Sequence, residues 1–188
     1  MKILGICGSP RKQGNTEVLL DKALEGARSA GAETEKIFLN DLNIAPIQEA
    51  EYENVTKEGF SVIDDGMTAV FKKFSEADAV MIGSPVFFGS LTAQTKTMID
   101  RFQCVWWATE VLGKKVFPER KKGAFLCVGA VDRRDFFDNA KAIVRHFFAT
   151  INAEYKEEMF FPGLDKKGKA LERSDYLEKA FEMGRKLA

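Results

Sequence analysis

Along this chain, short apolar runs alternate with stretches in which apolar residues recur every three or four positions. Ile3-Leu4-Gly5-Ile6-Cys7 predicts a buried strand. Leu20, Ala23, Leu24 and Ala27 then share one face of a helix over about Thr16 to Ala30, and Gly31 is placed to end it. Glu35 to Leu39 predicts a second strand, less apolar and suited to a sheet edge. A helix from Gly66 to Ser75 carries Met67, Val70, Phe71 and Phe74 on one face, with Asp64-Asp65 as its cap rather than as metal ligands. Ala77 to Gly83 predicts a buried third strand, and Leu91, Thr95, Met98, Ile99 and Phe102 a third helix. Strands at Gly123–Val128 and near Glu154–Phe160 flank a helix at Phe136–Ala149, and a last helix covers about Lys169 to Leu187.

Five strands alternating with five helices imply parallel strands, right-handed crossovers and helices on both faces. The expected architecture is a three-layer, doubly wound α/β sandwich of flavodoxin-like form, with strand order 2-1-3-4-5. Ligands of such sheets sit beyond the strand carboxyl ends, where strands one and three diverge. Two irregular stretches, Asn40–Asp65 and Gln103–Lys121, are expected near that rim, and loops as long as the first are usually functional.

Composition narrows the function. With 188 residues and 45% hydrophobic content, one domain over 1–188 is expected. Lys plus Arg and Asp plus Glu both number 28, so no net field points to nucleic acid or anionic lipid. No apolar run approaches a membrane span, and Met1-Lys2-Ile3 enters a strand without a secretory apolar region, so a cytoplasmic location is expected. Cys7, Cys104 and Cys127 lie too far apart in sequence for a compact ligand cluster and read as small packing residues. His146 sits among Ile143, Val144, Phe147 and Phe148 and reads as a helix residue, so no catalytic triad is assembled.

The chemistry is concentrated in two loops. Gly8-Ser9-Pro10-Arg11-Lys12-Gln13-Gly14-Asn15-Thr16 follows the first strand and opens the first helix. Helix-start amides lack intrahelical acceptors and favour a phosphate, to which Ser9, Arg11, Asn15 and Thr16 add donors. The glycine spacing matches neither the Walker loop nor G-x-G-x-x-G. The loop after the third strand offers Pro85, Phe87 and Phe88 as flat apolar surface beside Gly89. A phosphate joined to a planar ring fits both, and FMN is the economical choice.

These residues resemble the NADPH-dependent FMN reductase superfamily, and within it the iron–sulfur flavoprotein branch most closely. The match is carried by the first loop, by Gly83 to Gln94 and by Asp100-Arg101. The resemblance implies bound FMN with Ser9, Arg11, Gln13, Asn15 and Thr16 at its phosphate and ribityl end, and Pro85, Val86, Phe87, Phe88 and Gly89 along the isoalloxazine. It also implies NADPH or NADH as hydride donor, a small-molecule electron acceptor such as a quinone or flavin, and a homodimer or homotetramer. Iron–sulfur flavoproteins carry a compact C-x-x-C-x-x-C…C motif, whose positions fall here on Ile47, Ala50, Glu53 and Phe60. No thiolate stands there, so no iron–sulfur cluster is expected. Family members often have Tyr where Phe87 stands, and Gly129 to Arg134 is less glycine-rich than usual. Two other readings are a flavodoxin-like electron carrier, disfavoured by zero net charge, and a non-catalytic flavin-binding protein. Arg133-Arg134 and Trp106-Trp107 are open between ligand contacts and, respectively, a solvated pair and a subunit interface.

Overall fold

The computed structural model describes residues 1–188. Its strands are β1 (Lys2–Cys7), β2 (Glu33–Phe38), β3 (Ala79–Pro85), β4 (Lys121–Val128) and β5 (Ala153–Phe161). They form one parallel sheet in the order β2-β1-β3-β4-β5, as expected from the alternation of elements. The helices are α1 (Asn15–Ser29), α2 (Gly66–Glu76), α3 (Ala93–Arg101), α4 (Gln103–Glu110), α5 (Arg134–Thr150) and α6 (Ser174–Leu187).

The central strands are apolar throughout because both faces are covered. Ile3 and Cys7 of β1, with Met81 of β3 and Leu126 of β4, point to the layer holding α1 and α6. Leu4, Ile6, Val80, Ile82 and Phe125 point the other way, against Val70 and Phe74 of α2, Met98 of α3 and Val144 of α5. Period-two alternation thus builds two cores from the same strands. The chain crosses between the faces on leaving β1 and β3, and that split opens a crevice at the carboxyl ends.

Three expectations need correction. Gln103–Lys121 is partly helical: α4 buries Cys104, Val105 and Ala108, too short a stripe to show clear periodicity. This segment also lies at the opposite rim, since it feeds the amino end of β4 and Asn152, just ahead of β5, donates to the carbonyls of Phe117 and Pro118. The last helix is interrupted at Arg173, whose φ of −109° and ψ of 80° separate a 3₁₀ turn at Lys169–Glu172 from α6.

The Asn40–Asp65 stretch is packed rather than loose. It holds a 3₁₀ turn at Glu51–Glu53 and an antiparallel bridge between Val55 and Ser61, and Phe60 stacks on Phe71 at 5.0 Å. Asp65 caps α2 by accepting from the Met67 amide at 2.9 Å, as its position predicts. It also accepts from Ala45 N and pairs with Arg101, whose Nη1 donates to Ala45 O at 2.9 Å. The Arg101 and Asp65 side chains are only 1% and 9% exposed, so the pair is a buried clamp between loop, α2 and α3.

Candidate functional site

The crevice is built from three loops. The first, Gly8 to Gly14, leaves β1 and turns directly into α1. Gly8 can only be glycine, because a Cβ there would stand 1.8 Å from Thr95 Oγ1. Ser9 Oγ accepts from the Arg11 amide at 3.2 Å and shapes the turn. Gly14 caps α1 without any side chain, and the amides of Asn15, Thr16 and Glu17 find no backbone acceptor. These are the free donors that a phosphate needs.

The second loop, Val86 to Leu91, leaves β3. Phe87 and Ser90 exchange backbone hydrogen bonds at 2.9 and 3.1 Å around a two-residue turn, with Phe88 at φ 49° and Gly89 at φ 73°. A bulky aromatic in the left-handed region is a costly choice. Phe88 is fully exposed and Phe87 is 43% exposed, so both rings stand at the rim.

The spacing of apolar residues puts Thr95 on an apolar helix face and marks no role for Ser84 or Thr92. The structure joins them into a buried hydroxyl network under both loops. Thr92 Oγ1 donates to Gly8 O at 2.6 Å and lies 2.8 Å from Thr95 Oγ1, while Thr95 N donates back to Thr92 Oγ1 at 3.2 Å. Ser84 Oγ accepts from Thr92 N at 3.4 Å. The only sequence signal is Thr92 three residues ahead of Thr95 at a helix start. Thr92→Val removes the cap and leaves Gly8 O unpaired, so about 1–3 kcal/mol of stability is expected to be lost, measured by urea unfolding.

The third loop was not anticipated. Leu164, Asp165 and Lys167, between β5 and α6, complete a cleft of about 190 Å³ with Ser9, Arg11, Gly14, Asn15, Thr16, Pro85, Val86 and Phe87. Asn15 holds this loop: its Nδ2 donates to Leu164 O at 3.2 Å and Lys166 O at 2.8 Å, and its Oδ1 accepts from Ala170 N at 3.1 Å. Both amide hydrogens are thereby used, so the side chain has no donor left for a phosphate. Gln13 lies outside this cleft, exposed at φ 55°, its amide donating to Glu17. A second, more apolar hollow of about 320 Å³ adjoins the first across Val86 and Ala130, and Phe88, Gly89 and Phe136 line it.

Other candidates fall elsewhere. Arg133 pairs with Asp135 at 2.7 Å and Arg134 with Asp138 at 3.2 Å, both exposed at the start of α5. Trp107 meets Tyr52 edge-on at 5.9 Å, and Trp106 lines a hollow between α3, α4 and α5 together with the exposed His146. Neither tryptophan lines the crevice of its own chain. Burial pushes the thiols of Cys7 and Cys127 up to about 12 and that of Cys104 up to about 11, as suits packing residues.

The model of one family, described as NADPH-dependent FMN reductase, matches residues 1–154. The chain belongs to that family. An iron-sulfur flavoprotein of Methanosarcina thermophila is 37% identical over 130 residues, 69% of this chain and 63% of that protein. Another, from Methanocaldococcus jannaschii, is 43% identical over 102 residues, 54% of this chain and 51% of the relative. The matched segments thus span about half to two thirds of these relatives. Among solved structures, an NAD(P)H:quinone oxidoreductase from Methanothermobacter marburgensis superposes with a TM-score of 0.73 at 19% identity, covering 100% of this chain and 96% of that one. A flavone reductase gives 0.74 at 23% identity, covering 100% and 62%. At such identities the likeness shows the fold, which is flavodoxin-like.

The cofactor in the family's description fits these residues. FMN ends in a phosphate carrying about −1.5 to −2 charges at neutral pH. The polar cleft supplies Arg11, Lys167 and free amides for such an anion, and the adjoining apolar hollow supplies aromatic surface for a ring.

Proposed function

We propose that the chain, as one flavin-binding domain, is an NAD(P)H-dependent FMN oxidoreductase that delivers electrons to a small acceptor such as a quinone or free flavin. The observation that carries this reading is the junction of an anion cleft and an aromatic-lined hollow at the β1/β3 split. Family membership and relatives described as NAD(P)H-dependent FMN-containing oxidoreductase and NAD(P)H dehydrogenase (quinone) support it.

When bound, FMN would supply the redox chemistry, hydride acceptance from nicotinamide and onward electron transfer. The protein's residues bind and orient. Arg11, Ser9, Thr16 and the first α1 amides would hold the phosphate end, with Asn15 acting through the loop it anchors, and Gln13, outside the cleft on the exposed turn, would reach the ribityl chain only from the rim. Val86, Phe88 and Gly89 would face the ring from the apolar hollow, with Pro85 and Phe87 at its junction with the anion cleft, and the Phe88 and Gly89 amides, which have no backbone acceptor, would serve its polar edge without a charged side chain. The buried hydroxyls of Ser84, Thr92 and Thr95 keep the two loops in register.

In this reading the chain works without an iron–sulfur cluster. Ile47, Ala50, Glu53 and Phe60 offer one carboxylate and no thiolate, and the buried Asp65–Arg101 clamp organises the loop instead. The test is NADPH or NADH oxidation by FMN-loaded protein with a soluble quinone or free flavin. Turnover that requires bound FMN supports an enzyme; reduction confined to a protein partner would refute it.

A further inference from the structure

Residues after 154 lie beyond the family match, yet they wall the cleft. Pro162 to Ala170 leaves β5, crosses the mouth of the first loop and returns to α6. Its position is set by one buried side chain, because Asn15 spends both donors and its oxygen on Leu164, Lys166 and Ala170. Leu164 is buried beneath it, and Leu164 N donates to Gly129 O at 3.0 Å, which ties the loop to the end of β4 as well.

That anchoring leaves a particular charge pattern at the cleft. Asp165 is the one acid among its lining residues, and Lys169 neutralises it at 3.0 Å. Arg11 and Lys167 also line the cleft, from opposite loops, and neither forms a salt bridge within the chain. Lysines and arginines elsewhere on this surface commonly pair, as Lys12 does with Asp41 at 2.9 Å. Two unpaired cations facing one space beside free helix amides match the charge of a phosphate monoester dianion.

Resting on the FMN reading, we infer that Lys167 is a specificity-determining residue for the cofactor's phosphate and that Asn15 is the positioning residue that carries Lys167 to it. Lys167 distinguishes FMN from riboflavin, which shares the ring and lacks the phosphate. It also favours the dianion over the monoanion, whose interconversion falls near pH 6. Arg11 alone, on an exposed turn, gives less of both preferences.

The experiment is a titration of the apoprotein with FMN and with riboflavin, followed by flavin fluorescence at pH 5.5 and 7.5, for the wild type, Lys167→Met and Lys166→Met. Lys166 is the adjacent lysine and does not line the cleft. Lys167→Met is expected to weaken FMN binding about tenfold at pH 7.5, to leave riboflavin unchanged and to shrink the affinity gain between the two pH values. Lys166→Met is expected to bind as wild type does. Equal FMN affinity in all three proteins, or equal losses in both variants, would overturn the inference while leaving the FMN reading intact. Failure of the wild type to take up FMN would overturn both.

Discussion

Asp65→Ala is expected to destabilise the protein by about 3–5 kcal/mol, because it strands a buried guanidinium rather than deleting a surface pair. Arg101 would keep only the Ala45 carbonyl at 2.9 Å and the Ser61 hydroxyl at 3.4 Å, and its Nε is already without a partner. The α2 cap at Met67 would be lost at the same stroke. In a chain of this size the loss corresponds to a fall in Tm on the order of 10 °C, measured by calorimetry. Burial works to raise the Asp65 carboxyl, and hydrogen bonds from Arg101, Met67 and Ala45 outweigh it, so the group is held below the usual carboxylate range. Its stabilisation is therefore complete above the ordinary carboxyl pKa and is lost as pH falls through the depressed one. The gap between wild type and variant is expected to stay constant near neutrality and to narrow only in strong acid. A gap that closed around pH 6 would contradict the clamp.

Arg11→Ala combined with Asn15→Ala is expected to weaken FMN binding by about a hundredfold or more, since each removes an interaction worth about 1–3 kcal/mol. The two losses have different origins. Arg11 takes a direct charge from the cleft, whereas Asn15→Ala frees the Leu164–Ala170 segment and leaves its buried polar groups unpaired. Consequently Asn15→Ala alone is expected to expose the Lys166-Lys167 bonds to trypsin, and Arg11→Ala alone is not. Unchanged FMN affinity in the double variant would remove the phosphate role of the first loop.

The sheet was legible because its cause is local. Each central strand buries both faces, so Ala79 to Ile82 and Ala124 to Val128 read as apolar runs whatever they pack against. The first loop was legible for the same reason, its glycines, hydroxyls and Arg11 being adjacent in sequence. What escaped is tertiary. The Thr92–Gly8 bond spans 84 positions and the Asn15–Leu164 bond 149, and no periodicity records such pairings. Asn15 shows the consequence: its residue type suits phosphate donation, but its surroundings commit it to the chain. Nothing in the sequence sets Lys167 apart from the other lysines, because only the fold brings it opposite Arg11. The α4 helix was missed because eight residues with two tryptophans, one exposed and one half-buried, show no clean stripe.

In the proposed function, two loops at the β1/β3 split hold an FMN that accepts electrons from a nicotinamide donor. The most direct test is the visible absorbance of purified protein loaded with FMN and freed of excess, recorded anaerobically before and after addition of NADPH and then NADH. A retained flavin spectrum that bleaches with at least one donor is expected. A protein that retains no flavin, or retains one that neither donor bleaches, would contradict that function.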